Sequence, residues 1–149
     1  MKRLAFALLL LVPAVSCSRP AEVEVTKAWA RDSIGGTRNA AVFMTIGSPS
    51  GDRLLGASTP AAKKTDLMTM THEGGKMGMA YVDGIDVPAG GSVSLNPSGL
   101  HVWLSDLNQP LTAGQSFAVT LKFERAGEKR VDVAVLKPSA PAPMAGMKM

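Results

Sequence analysis

The chain has 149 residues, 46% of them hydrophobic and 19% charged, with one cysteine, two histidines and a formal net charge of +4. Without an N-terminal export segment about 130 residues would remain, enough for one domain with a modest core and not for two. With Lys2 and Arg3 set aside, 14 basic residues stand against 12 acidic ones and the Lys/Arg residues occur only in pairs such as Lys63-Lys64 and Lys129-Arg130, which excludes a nucleic-acid-binding surface, while the single cysteine excludes an internal disulfide or a thiolate cage.

The chain begins with Met1-Lys2-Arg3 and the apolar run Leu4 to Val12. A basic start and a hydrophobic stretch too short to span a bilayer predict a signal peptide over 1–17. The run closes at Ala14-Val15-Ser16-Cys17, which resembles the box at which bacterial lipoproteins are cleaved and acylated, with Ala where Leu is usual at its first position. The expectation is lipid on Cys17, membrane attachment, and a place in the periplasm or cell envelope.

From Val23 onward, short runs with two-residue alternation are separated by Gly, Pro, Asn and Asp, and none holds a helical period. Candidate strands cover 22–31, 39–47, 53–58, 64–72, 76–82, 91–95 and 100–105. Two more lie around Phe117, Val119, Leu121 and Phe123, and around Val131, Val133 and Val135. Pro88-Ala89-Gly90-Gly91 and Asn96-Pro97-Ser98-Gly99 supply turn chemistry. About nine short strands at this spacing predict an all-β sandwich or barrel, a β domain over 22–137. From Pro138 the composition turns to Pro, Ala, Ser and Met, which predicts a flexible, Met-rich tail over 138–149.

The methionines are the unusual feature. Of nine, Met68, Met70, Met77 and Met79 fall within twelve residues, and Met144, Met147 and Met149 within the last six. A single methionine is ordinarily a core filler. A two-residue turn at Gly74-Gly75, however, would pair Glu73 with Lys76, His72 with Met77, Met70 with Met79 and Met68 with Tyr81. Alternation then gathers Met68, Met70, His72, Met77, Met79 and Tyr81 on one face. Either that face is buried, or it is a set of soft donors.

Thioethers select soft ions such as Cu(I) and imidazole tolerates copper. Methionine ligands also persist in an oxidising compartment where paired thiols would form disulfides. Zinc prefers Cys, His and carboxylate, and the two histidines are far apart in sequence. His101 and Trp103 share one face of their strand, opposite Leu100, Val102 and Leu104, and a neighbouring indole can shield a bound cation.

These residues resemble the PCuAC family of periplasmic copper chaperones. The family signature reads His or Met, ten residues, Met, twenty-one residues, His, one residue, Met. Met68, Met79 and His101 match it without a gap. Val87-Pro88-Ala89-Gly90-Gly91, the Pro97 turn, Leu107-Asn108-Gln109-Pro110-Leu111 and Phe123-Glu124-Arg125-Ala126-Gly127 are similar too, so the likeness covers about 22–137. Trp103 stands where the signature has its last methionine, and Met68 where histidine is more frequent. The resulting Met, Met, His and Trp set is similar to that of a different periplasmic copper and silver carrier on another fold.

The resemblance implies a cupredoxin-like β-sandwich that binds Cu(I), with Cu(II) or Ag(I) as further candidate ions. It implies delivery by ligand exchange to a copper-accepting protein, such as a subunit of a terminal oxidase during its assembly or another chaperone. The metal ligands it points to are Met68, Met79 and His101, with Trp103 as a cap and Met70, His72 and Met77 as auxiliary ligands. Copper or silver sequestration without a dedicated client is an alternative, and so is a non-metal envelope module whose site has decayed. An enzyme is not expected, because no Ser/His/Asp spacing or Gly-rich phosphate loop can be placed.

Overall fold

A computed structural model describes residues 21–143. The leader with Cys17, and Met144, Met147 and Met149, lie outside the described residues. Turns cut the described chain into ten strands: β1 (Glu24–Arg31), β2 (Ala40–Ser48), β3 (Asp52–Ser58), β4 (Ala62–Glu73), β5 (Lys76–Tyr81), β6 (Ile85–Val87), β7 (Gly91–Leu95), β8 (Leu100–Leu107), β9 (Ser116–Phe123) and β10 (Gly127–Leu136). A single short 3-10 turn, Ile34–Gly36, follows β1. The expected all-β fold is what forms, with one strand more than expected. That strand is β6, whose three residues between Gly84 and Pro88 are too few to show an alternation.

The strands run in the order β5-β4-β8-β2-β1-β10-β9-β3-β6, and β7 pairs with the second half of β2. All pairs are antiparallel except β1 with β10. The Thr65 hydroxyl donates to the Ala57 carbonyl, bringing β4 against β3 at the far end of that order, so the sheet folds back on itself as a cupredoxin-like sandwich. Inside lie Val42, Met44 and Ile46 of β2, Val102 and Leu104 of β8, Val119, Leu121 and Phe123 of β9, and Val133 and Val135 of β10. Each set is the alternate face that the sequence pattern marks as apolar. Pairing in β9 and β10 extends through the charged run Glu128-Lys129-Arg130, because one face of an antiparallel hairpin can stay in water.

Two local devices set what the outer face presents. At Lys27 the backbone turns left-handed, with φ 53°, and β1 advances three residues, Thr26 to Trp29, while β2 advances two, Thr45 to Phe43. This bulge reverses the alternation. Val23 and Val25 point to the core before it and Ala28 and Ala30 after it, which leaves Trp29 and Arg31 outward. At the base, the buried Asp52 carboxylate accepts backbone N–H groups from Arg53, Arg125 and Ala126 at 2.7, 2.9 and 2.8 Å. It ties the start of β3 to the β9–β10 turn, a role its sequence position does not announce.

A candidate metal centre on the outer face

Gly74 and Gly75 have φ of +56° and +76°, the left-handed pair that a two-residue hairpin turn requires and glycine supplies without steric cost. The register that follows is the expected one, with Met68 opposite Tyr81, Met70 opposite Met79, His72 opposite Met77 and Glu73 opposite Lys76. On its other side β4 pairs with β8, so that Met68 also faces His101 and Asp66 faces Trp103. β8 begins only at Leu100, so the hairpin beyond Met70 projects past it.

A row of side chains therefore crosses five strands on the outer face: Trp29, Phe43, His101, Met68 and Tyr81. Trp29 and Phe43 are cross-strand partners with ring centroids 4.6 Å apart. Phe43 lies 6.2 Å from the His101 ring. Trp103, two residues along β8, meets His101 edge-on at 6.1 Å and 71°. His101 and Met68 are buried, at 2% and 6% exposure, and Tyr81 at the edge is open.

The His101 ring is held by one hydrogen bond. Its Nδ1 lies 2.9 Å from the Gly99 carbonyl oxygen, which can only accept, so Nδ1 carries a proton and, in the neutral ring, Nε2 presents the lone pair. Nε2 is buried and finds no hydrogen-bond partner among the described residues. Leaving such a group unpaired costs about 1–3 kcal/mol. A metal ion bound at Nε2 would satisfy it, and a carbonyl that fixes the far nitrogen is the usual support of a histidine ligand.

The register brings together only part of the expected ligand set. Met68 and His101 are in direct opposition. Met79 sits one strand further out at 46% exposure, where its flexible thioether arm must reach back across β4. Met70 is half-buried beside it, and His72 and Met77 are exposed toward the hairpin tip. Among the described residues no three of His, Cys, Asp and Glu converge on a point, so the donors here are thioethers and one imidazole. Asp66 pairs with Lys64 at 3.1 Å, and Lys64 lies over the Tyr81 ring at 5.5 Å, so this lysine takes part in the border of the site. The aromatic wall of Trp29 and Phe43 was not among the expected site residues. Alternation in β2 marks Phe43 as outward, but nothing in the sequence marks the bulge that turns Trp29 beside it.

Comparisons with known proteins identify the family and the fold. The family model named LpqE-like, described as "Putative lipoprotein LpqE-like", matches residues 23–135. The "Putative lipoprotein Lxx21020" of Leifsonia xyli subsp. xyli is 35% identical over 115 residues, covering 76% of this chain and 69% of its own. Among solved structures, the copper-bound PCuAC domain from PmoF2 superposes with a TM-score of 0.65 at 26% identity, over 80% of this chain and 97% of that domain. The solution structure of CuI-DR1885 from Deinococcus radiodurans gives 0.61 at 30% identity, over 85% of each chain. The fold is that of PCuAC domains, as the motif resemblance implies.

Proposed function

We propose that this chain, which belongs to the LpqE-like family, is a copper carrier of the cell envelope, exported by its leader, held to a membrane by lipid on Cys17, and binding Cu(I) through His101, Met68 and Met79. The observation that carries the reading is the buried, partnerless Nε2 of His101, fixed in its tautomer by Gly99 and directly opposed by a buried thioether. Two thioethers and an imidazole suit a soft monovalent ion; Ag(I) fits the same donors, and Cu(II) is matched less well. Trp103 stands beside the ion as a cap that limits water. The copper bound in the PmoF2 domain and in DR1885 supports the choice of metal.

A carrier must release what it holds. Met79 and Met77 lie on the exposed edge strand β5, where an acceptor's ligands can replace them one at a time, and the copper centre of a terminal oxidase is the client that the motif resemblance suggests. The exposed His72 and Met77, with the half-buried Met70 beside them, favour a second reading, copper or silver buffering without a client. Loss of oxidase activity in a deletion strain supports delivery, whereas normal oxidase with reduced copper tolerance supports buffering. The direct test is an anaerobic Cu(I) titration of the chain lacking residues 1–17 against a chromophoric chelator, following Trp fluorescence, beside His101→Ala. One-to-one binding that perturbs Trp fluorescence and weakens in the variant is expected. Identical behaviour of the two proteins would overturn the site and point to a non-metal envelope module.

A further inference from the structure

The hairpin that carries Met68 continues past the strand that supports it. The Met70 N–H donates to the Gly99 carbonyl at 3.1 Å, the same oxygen that holds the His101 ring. Beyond that point β4 pairs only with β5, through Thr71–Gly78, His72–Met77 and Glu73–Lys76. Opposed residues share a face, so Met68, Met70 and His72 form one column and Tyr81, Met79 and Met77 the other. The opposite face is closely packed, since a Cβ on Gly78 would meet the Thr71 Oγ1 at 3.0 Å. Alternation puts Glu73 and Lys76 on that opposite face too, so neither charge of the tip stands among the soft donors.

Core filling, the ordinary role of methionine, is open to Met68 and closed to Met77. Met68 is 6% exposed and Met77 66%, and among the described residues three of the four exposed large hydrophobic side chains, Met77, Met79 and Tyr81, lie on β5. A thioether left in water gives up the benefit of apolar burial, and what remains to it is its sulfur. His72, exposed on the same rung, adds an imidazole. Directly opposed Cβ atoms stand about 4.5–5.5 Å apart and diagonal neighbours about 7–8 Å. His72, Met77 and the Met70 thioether of the next rung can therefore close on one ion, and two thioethers with an imidazole select a soft monovalent one.

We propose that His72, Met77 and Met70 form a second, weaker Cu(I) site at the hairpin tip, an outer station from which the ion passes inward to His101. The outer site stands without His101 as a ligand; the inward passage rests on it. Rungs on one face are about 7 Å apart at about 3.4 Å per residue, so the Met70–Met79 rung lies midway along a path of about 14 Å from His72 to Met68. Met70 belongs to the outer site and Met79 to the inner one, and they are directly opposed, so the ion crosses by exchanging one thioether for the other. The inner imidazole is buried and held by a carbonyl, whereas the more open side chains of the tip must be ordered on binding. Affinity thus rises inward, by about tenfold or more.

The test compares the chain lacking residues 1–17 with its His72→Ala, Met77→Leu double variant, each with and without His101→Ala, using Cu(I) alone as the anaerobic probe. Both tip side chains are exposed, so the double variant should fold as the parent does. In protein labelled at the imidazole rings and methionine methyls, the first equivalent should move the His101 resonances and the second those of His72 and Met77. The second step should be lost in the double variant with the affinity of the first unchanged. Loading of the first equivalent from a Cu(I)–chelator complex, followed by Trp fluorescence, should be severalfold slower there, and an equal rate would overturn the inward passage. A first step that weakens in the double variant would make these residues ligands of the His101 site, and a second step that leaves His72 unmoved would place it elsewhere. Either result would overturn the outer station. A tip step that survives where no His101-dependent step exists would overturn the inner site and the passage, and leave the outer site standing.

Discussion

Met68 stands directly opposite His101 across β4 and β8, and directly opposite Tyr81 on its other flank. It is buried, so it serves packing and, in the proposed site, metal binding, and these two roles can be separated. Met68→Leu conserves volume and should cost less than about 1.5 kcal/mol of stability, while removing the sulfur and weakening Cu(I) binding about tenfold, or roughly 1.4 kcal/mol. Met68→Ala opens a cavity and should cost about 2–5 kcal/mol. Chemical denaturation and chelator competition on both variants check the pair. A leucine variant that holds Cu(I) as tightly as the parent would remove Met68 from the ligand set.

The indole of Trp103 meets His101 edge-on, 6.1 Å between centroids, and in the motif resemblance read from the sequence it stands where a methionine is expected. Trp103→Met should restore a strand-borne thioether and raise Cu(I) affinity about tenfold. The measurement is anaerobic Cu(I) competition against a chromophoric chelator, with the parent chain alongside. Weaker binding in Trp103→Met would mean that the indole itself holds the ion through its π face.

Much of this was legible because two signals are local. The Gly74-Gly75 turn fixes a register, and a register fixes which residues oppose one another, so the Met70–Met79 and His72–Met77 pairs can be written from the sequence alone. Alternation likewise separates Val102 and Leu104 from His101 and Trp103. What could not be read depends on contacts between distant segments. The pairing of Met68 with His101 needs β4 beside β8, which are separated in the chain by β5, β6 and β7. The bulge at Lys27 needs β2 as its partner, since an extra residue is defined only against another strand. Asp52 reads as an ordinary turn carboxylate until β3 meets the β9–β10 turn. The burial of His101 belongs to this class too, for a histidine one residue from Val102 looks like a surface residue until Phe43 and Met68 flank it.

Asp52 gives the fold a pH dependence. Burial raises its carboxyl pKa, but the N–H groups of Arg53, Arg125 and Ala126 and the Arg125 charge outweigh that and hold it below the ordinary value of 3.8. A carboxyl with a depressed folded pKa adds stability that is complete above the unfolded pKa and is lost as pH falls through the folded one. Asp52→Asn retains an acceptor but gives up charge and one bidentate arrangement, and should cost about 1–3 kcal/mol at pH 7. The gap between the parent and the variant should stay constant from pH 7 to about 5 and close only below about 4. Urea melts across that range check it, and a gap that closes above pH 5 would rule this carboxylate out as its source.

The bulge at Lys27 turns a backbone cost into the aim of a side chain. A non-glycine residue in the left-handed region costs about 1–2 kcal/mol, and glycine gives back about 0.5–1 kcal/mol of that through its greater freedom in the unfolded chain. Lys27→Gly should therefore be neutral to mildly stabilising, Lys27→Val should be destabilising, and copper binding should be unchanged in the glycine variant. Deleting Lys27 is a different operation, because it removes the extra residue. Thr26 to Trp29 then spans two steps against the two from Thr45 to Phe43, the pairing becomes regular, and Trp29 and Arg31 stay outward with Ala28 and Ala30 inward. The deletion should therefore keep the Trp29–Phe43 contact and the near-UV circular dichroism of the tryptophans. Inserting an alanine after Lys27 instead adds one step, which sends Trp29 to the core face unless the bulge widens, and should disturb that spectrum and lower stability. A deletion variant that loses the parent's near-UV spectrum, beside an insertion variant that keeps it, would show that register across the bulge does not set the aim of Trp29.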